Sequence, residues 1–192
     1  MSEAAVQSES VRGFDLVPIE TMTGDWREKL EKLASLGGDP AYFQFASNSP
    51  EMIEFYWGAF YRDIFFAGSV PVRTKEIARL RLAGLNGCSF CQIGDRMSAL
   101  DNGLTDVEVE SLLDGDGQSE SFTRAEQAVA DAAGICSNFD PDGEMSAELL
   151  SRLQGEFAPA QLVELLMVMS VLTGTARMLV ATGFISRTCP VD

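Results

Sequence analysis

Arg73-Thr74-Lys75-Glu76-Ile77-Ala78-Arg79-Leu80, continued by Ala83-Gly84-Leu85-Asn86-Gly87 and then Cys88-Ser89-Phe90-Cys91, decides the reading of this chain. Val72 to Leu85 has the pattern of a helix, with Ile77, Leu80 and Leu85 apolar. Asn86-Gly87 breaks it. A second helix is predicted from the Cys88 turn to about Leu100, where Asn102-Gly103 stops it. A C-x-x-C pair thus falls at a helix start, with an acidic residue, Glu76, one helix length upstream. Two cysteines at this spacing can close a reactive disulfide, and a nearby carboxylate can move the proton such chemistry needs.

The flanking sequence extends the helical pattern in both directions. Residues 1–12 read as a tail, and Phe14 to Ile19 as an extended strap broken by Pro18. Asp25 to Leu36 predicts a helix, with Trp26, Leu30 and Leu33 on one face, a Glu28–Lys32 pair at i,i+4, and Gly37-Gly38 as its end. Ser49-Pro50-Glu51 combines a capping serine with proline at the first helical position. The run Phe55, Tyr56, Trp57, Phe60, Tyr61, Phe65, Phe66 recurs at helical spacing and reads as core, with Trp57 or Tyr61 able to line an apolar pocket. Thr105-Asp106-Val107-Glu108 is a capping-box start. Asp114 to Ser121 reads as an acidic loop. Thr123 to about Asn138 and Ser146 to Gln154 read as helices, and Pro159 opens a long apolar helix towards Ala181. No segment alternates with period two between turns, so the expected class is all-α. The expected division is an N-terminal arm with one helix, 1–40, and a helical domain, 41–192.

Composition narrows the function. The chain has 192 residues, 46% hydrophobic, enough for a real core. Its net charge of −15 argues against nucleic acid and anionic membrane surfaces as partners. It has no histidine, which removes the commonest general base and most zinc-site types. Met1 to Ser10 lacks the features of a signal peptide, and Leu165 to Ala176 is too short to span a bilayer, so a cytoplasmic location is expected. Of the four cysteines, Cys136 reads as core and Cys189 as incidental, and no zinc site is expected.

At a helix start, unpaired N–H groups and the macrodipole can lower a thiol pKa from about 8.5 by one to several units, which favours a Cys88 thiolate. Five of the chain's 14 basic residues, Arg73, Lys75, Arg79, Arg81 and Arg96, cluster around this region. Cys91 follows Cys88 by one turn, and Asp95 follows Cys91 by another. With two helices antiparallel across Asn86-Gly87, Glu76 lies about three turns from the break, so its proximity to Cys88 is not given by the sequence.

Glu76, eleven residues, then Cys88-x-x-Cys91 is a spacing similar to that of the alkyl hydroperoxidase D-like (AhpD-like) proteins of the carboxymuconolactone decarboxylase family. Arg73 to Leu80, Ala83 to Cys88 and Gly103-Leu104-Thr105-Asp106 resemble the family's helices and turns, over roughly Ser49 to Gly115. A weaker likeness continues through Phe122-Thr123-Arg124-Ala125-Glu126. The resemblance implies an AhpD-like helical fold, a homo-oligomer (trimer or hexamer favoured, dimer the alternative), and a thiol peroxidase or disulfide reductase that needs no cofactor or metal. It implies Glu76 as relay acid/base, Cys91 as the peroxide-reacting thiol and Cys88 as its resolving partner. The partners would be a small hydroperoxide and an external dithiol donor. This chain departs from the family at the relay histidine, four residues after the second cysteine, where it has Asp95. An aspartate beside a thiolate raises the thiol pKa, but it can accept a proton or pair with Arg79 or Arg96. The competing functions are a decarboxylase-like lyase and a non-catalytic binding oligomer.

Overall fold

Val72–Leu85 is the helix around which the others assemble: nine of its fourteen residues are buried, on every side. The computed structural model describes residues 13–22, 25–35, 40–87, 89–137 and 143–184, with backbone alone at 25–26, 33 and 89–93. In chain order the helices are α1 Asp25–Ser35, α2 Ala41–Ala46, α3 Pro50–Ile53, a wide-turn segment Glu54–Phe65, α4 Val72–Leu85, α5 Ser89–Asp101, α6 Asp106–Leu113, α7 Arg124–Ile135, α8 Ala147–Glu156 and α9 Pro159–Thr182. The fold is all-α, with no strand among the described residues.

Helix α4 packs against α5, α6, α7 and α9. One side, Ala78 and Leu82, joins a core with Phe60, Phe65, Val129, Leu153, Leu165 and Met169. The other, Ile77 and Leu80, joins Ala99, Leu104, Val109 and Leu112. A third cluster, Leu16, Ala41, Leu179 and Phe184, fastens the N-terminal strap to the end of α9. Gly84 lets α4 and α6 touch: a Cβ there would stand 2.3 Å from the Leu113 carbonyl oxygen.

Burying Lys75, Glu76 and Arg79 requires partners for each charge. Lys75 Nζ donates to the Ile64 carbonyl at 2.7 Å and to Glu164 at 2.9 Å. Glu164 also accepts from Ser69 and from the Val70 amide, tying the start of α9 to the turn before α4. Arg73 bridges Glu108 at 2.6 Å and Glu126 at 2.7 Å. These are the two capping-box glutamates of α6 and α7, so one arginine joins two helix starts. Arg96 pairs with Asp106 and Glu110. The basic cluster read from the sequence is therefore mostly neutralised by carboxylates. It is not a free positive field beside the C-x-x-C pair.

Several other expectations change. The aromatic run forms a π-type helix in which the Phe66 amide bonds the Tyr61 carbonyl, five residues back. This wider turn stacks Trp57 on Tyr61 (4.8 Å, 13°) and Tyr56 on Phe60 (5.7 Å, 19°). Phe55 and Phe66 are exposed rather than core. Ser49 precedes α3, but its hydroxyl donates to Glu51 instead of capping a backbone amide. The i,i+4 ion pair seen on α1 among the described residues is Arg27–Glu31 rather than Glu28–Lys32, and Gly37-Gly38 lies outside the described residues. Helix α9 has 24 residues and is long and apolar enough to cross a membrane by length and composition, unlike the Leu165–Ala176 stretch considered alone. Leu165, Val168, Met169 and Leu172 on its inner face are packed in the core, while Val163 and Met167 are exposed.

Candidate functional site

Helices α4 and α5 run antiparallel, and their facing polar residues set the register. Ser98 Oγ donates to Glu76 Oε1 at 2.7 Å, and Asn102 Nδ2 reaches the same oxygen at 3.4 Å. The other Glu76 oxygen accepts from Arg79 Nη2. Arg79 Nε lies 3.4 Å from Asp95 Oδ1, an ion pair without the alignment of a hydrogen bond. Ser98 and Asn102 follow Asp95 at i+3 and i+7, so one face of α5 carries all three. The guanidinium is backed by aromatic rings, 4.8 Å from the Phe65 centroid and 5.9 Å from that of Tyr61.

Three members of this polar layer border a cavity of about 310 Å³. Tyr42 and Phe43 of α2, Tyr56, Trp57 and Tyr61 of the π-type segment, and Leu172 and Leu179 of α9 form much of its wall. Arg79, Gly94, Asp95 and Ser98 also line it. The wall is apolar and aromatic, with few polar groups, the character of small-molecule sites.

Burial governs the electrostatics. Desolvation raises the Glu76 carboxyl above the usual glutamate range, against the opposing pull of Arg79, Ser98 and Asn102. Desolvation also raises Asp95, to about 6, with Arg79 lowering it and Glu76 raising it. Its side chain keeps 18% exposure. Desolvation works against the Arg79 cation, but Asp95, Tyr61 and Glu76 outweigh it and hold the guanidinium above its ordinary value. Burial raises Tyr61 as well, opposed by Arg79. With both carboxyls ionised the layer has one negative charge in excess.

Of the four residues singled out from sequence, Glu76 and Asp95 meet through Arg79. Cys91 lies in α5 four residues before Asp95, and its side chain is outside the described set; so is all of Cys88. Extending the register that pairs Arg79 with Asp95 sets position 91 beside Ala83, about 10 Å along the axis from Glu76. Cys136 caps the end of α7 and packs partly against the main core, with its thiol pushed up by burial. Among the described residues no group of three His, Cys, Asp or Glu could share a metal ion.

Sequence reasoning treated Arg79 only as a basic neighbour and an optional partner of Asp95. It missed Ser98 and treated Asn102 only as a helix stop. The available signal was helical spacing: Arg79 at i+3 from Glu76, and the 95/98/102 stripe on the next helix.

Residues 50–133 match the sequence model of the carboxymuconolactone decarboxylase family. The match covers somewhat under half of the chain, from the start of α3 into α7, and contains Glu76, Arg79, Cys88, Cys91 and Asp95. No curated protein matches the chain.

Proposed function

We propose that the chain is an AhpD-like member of the carboxymuconolactone decarboxylase family and acts as a thiol-dependent hydroperoxide reductase. The observation that carries this reading is the aromatic-walled cavity bordered by Asp95, on the same helix hairpin as the C-x-x-C pair. Cys91, as thiolate, attacks the terminal peroxide oxygen. The O–O bond breaks, sulfur becomes a sulfenic acid, and the departing alkoxide takes a proton to leave as an alcohol. Cys88 then displaces hydroxide from that sulfur, giving a disulfide and water. An external dithiol reduces the disulfide and is itself oxidised. Asp95, one turn from position 91, takes the thiol proton and returns it to the alkoxide. A carboxyl near 6 is better suited to this task than an ordinary aspartate. Glu76 acts through Arg79, which fixes both carboxyls. The active form is a cytoplasmic homo-oligomer whose functional unit is residues 41–192.

A lyase acting on a carboxylated lactone fits less well, because the excess negative charge of the polar layer repels a carboxylate. A non-catalytic binding oligomer is favoured by the cavity and by the exposed Val163, Leu166 and Met167 of α9. The deciding experiment follows cumene hydroperoxide turnover with dithiothreitol, comparing wild type with Cys88→Ser and Cys91→Ser. Mass mapping after mild oxidation accompanies it. Turnover lost in Cys91→Ser, with a Cys88–Cys91 disulfide in wild type, is expected. Accessible thiols with no turnover would remove the peroxidase reading and leave the binding oligomer.

A further inference from the structure

On the polar side of the cavity Asp95 is held, among the described residues, by a 3.4 Å ion pair with Arg79 that is not a hydrogen bond. Both Glu76 oxygens are engaged, by Arg79 on one side and by Ser98 and Asn102 on the other. Arg79 spends its Nη2 on Glu76. Asp95 accepts no hydrogen bond among the described residues, yet it lines the cavity and remains partly accessible. A carboxylate so placed has unused acceptor capacity directed at whatever enters.

Charge then limits what can enter. Glu76, Arg79 and Asp95 together leave one negative charge in excess, so a carboxylated ligand meets a like charge. An ammonium seated on Asp95 would stand next to the Arg79 guanidinium, only 3.4 Å from that carboxylate. A neutral donor meets neither repulsion. The walls select the remainder of the molecule. Tyr42, Tyr56, Trp57 and Tyr61 present ring faces and edges, against which a ligand ring can stack or pack edge-on. A cavity of about 310 Å³ leaves hydrogen peroxide alone poorly held.

We propose that this cavity selects a neutral ring-bearing compound with one hydroxyl or hydroperoxyl donor, and that Asp95 is the specificity-determining residue that accepts from it and turns carboxylates away. As a statement about substrate this rests on the peroxidase reading, whereas the binding preference holds independently of it.

The test is calorimetric binding at pH 7.5 with four probes of one shape: 2-phenylpropan-2-ol, tert-butylbenzene, 2-methyl-2-phenylpropanoate and 2-phenylpropan-2-amine. A hydrogen bond to a charged acceptor should make the alcohol bind about tenfold or more tighter than the hydrocarbon. The carboxylate should not bind measurably. Asp95→Asn, which keeps an acceptor oxygen but removes the charge, should retain the alcohol and admit the carboxylate. Asp95→Leu should erase the advantage of alcohol over hydrocarbon.

Equal binding of alcohol and hydrocarbon by wild type overturns the proposal. So does tighter binding of the carboxylate or of the amine, which is an ammonium at this pH. The four probes on wild type decide this even if a variant fails to fold. Turnover is scored separately. Probe selectivity without peroxide turnover leaves this inference standing and the peroxidase reading fallen; turnover without selectivity does the reverse.

Discussion

Arg79 Nε stands 3.4 Å from Asp95 Oδ1 without forming a hydrogen bond, while the other end of the same guanidinium is bonded to Glu76. One buried cation therefore serves two carboxyls unequally. Glu76 is fully buried and its oxygens are engaged. Among the described residues Asp95 has only the looser contact, and it borders the cavity. Both carboxyls are raised, but of the two Asp95 borders the cavity, and on the proposed reading this gives Glu76 a supporting role and Asp95 the ligand-facing one.

The first prediction concerns pH and stability. Asp95, held near 6, binds its proton more tightly folded than unfolded. Its stabilising contribution is thus full at low pH and lost as pH rises through about 6; Glu76 acts in the same direction. Glu108 and Glu164 are the opposite case. Desolvation alone would raise them, but Arg73 and Ser121 around Glu108, and Ser69 and Lys75 around Glu164, bring both down to about 2. The stability they contribute is present above the ordinary glutamate value and lost as pH falls towards 2. The melting temperature should therefore peak between about pH 4 and 5 and fall on both sides. At pH 7.5 Asp95→Asn should raise stability by on the order of 2 kcal/mol and flatten the neutral limb. A melting temperature that climbs steadily from pH 5 to 8 would contradict this account.

The second prediction rests on the asymmetry of the Lys75–Glu164 pair. Without Lys75, Glu164 keeps three donors, from Ser69 and Val70. Without Glu164, fully buried Lys75 keeps only the Ile64 carbonyl. Glu164→Leu should therefore cost about 3–5 kcal/mol. Lys75→Met should cost less, about 1–3 kcal/mol. Urea unfolding of the two variants measures the order, and equal losses would show the pair to be less one-sided than its contacts.

Much of the fold was legible because it depends on local signals. The Thr105 and Thr123 capping boxes, the Asn86-Gly87 break and Pro159 mark helix ends through residues only a few positions apart. The π-type turn of Glu54–Phe65 was not legible, because an aromatic run fits either helix type locally and packing makes the choice. In the candidate site, Glu76 and Asp95 stood out by spacing. Their link through Arg79 did not, because it depends on the register of α4 against α5 and on a charged helix buried all round, for which no amphipathic stripe exists to read. For the same reason Arg79 read only as one of five clustered bases and an optional partner of Asp95, not as the buried link between two carboxyls.

The third prediction uses two helical glycines as a matched pair. A methyl at Gly84 would meet the Leu113 backbone at 2.3 and 2.8 Å, and backbone cannot turn aside. A methyl at Gly94 meets no atom of the described residues within 4 Å. Gly84→Ala should destabilise by about 1–3 kcal/mol through forced separation of α4 and α6. Gly94→Ala should stabilise by up to about 1 kcal/mol through helix propensity. Thermal melts of both decide it, and a neutral Gly84→Ala would mean that α4 and α6 can move apart without loss.

The last prediction addresses the proton relay. Thiol peroxidase chemistry needs a group that accepts the Cys91 proton and then releases it to the alkoxide. An ionised carboxyl near 6 does this against a thiol near ~8.5 with an unfavourable first step, and its negative charge also opposes the thiolate. Wild-type turnover of cumene hydroperoxide should therefore be slow. Glu76→Gln should lower it further, because Arg79 loses the charge that holds it and shifts towards Asp95. Asp95→His should raise it by about tenfold or more, because imidazole next to Arg79 is neutral at pH 7.5, accepts the proton readily and places no negative charge beside the thiolate. The pH profiles distinguish chemistry from a folding effect. In wild type the activity should fall as pH drops through about 6, where Asp95 takes up its proton. In Asp95→His the midpoint should move to wherever the imidazole titrates. Fast wild-type turnover that Asp95→His abolishes would show Asp95 to be a dedicated catalytic carboxylate, and the slow-relay account would be wrong.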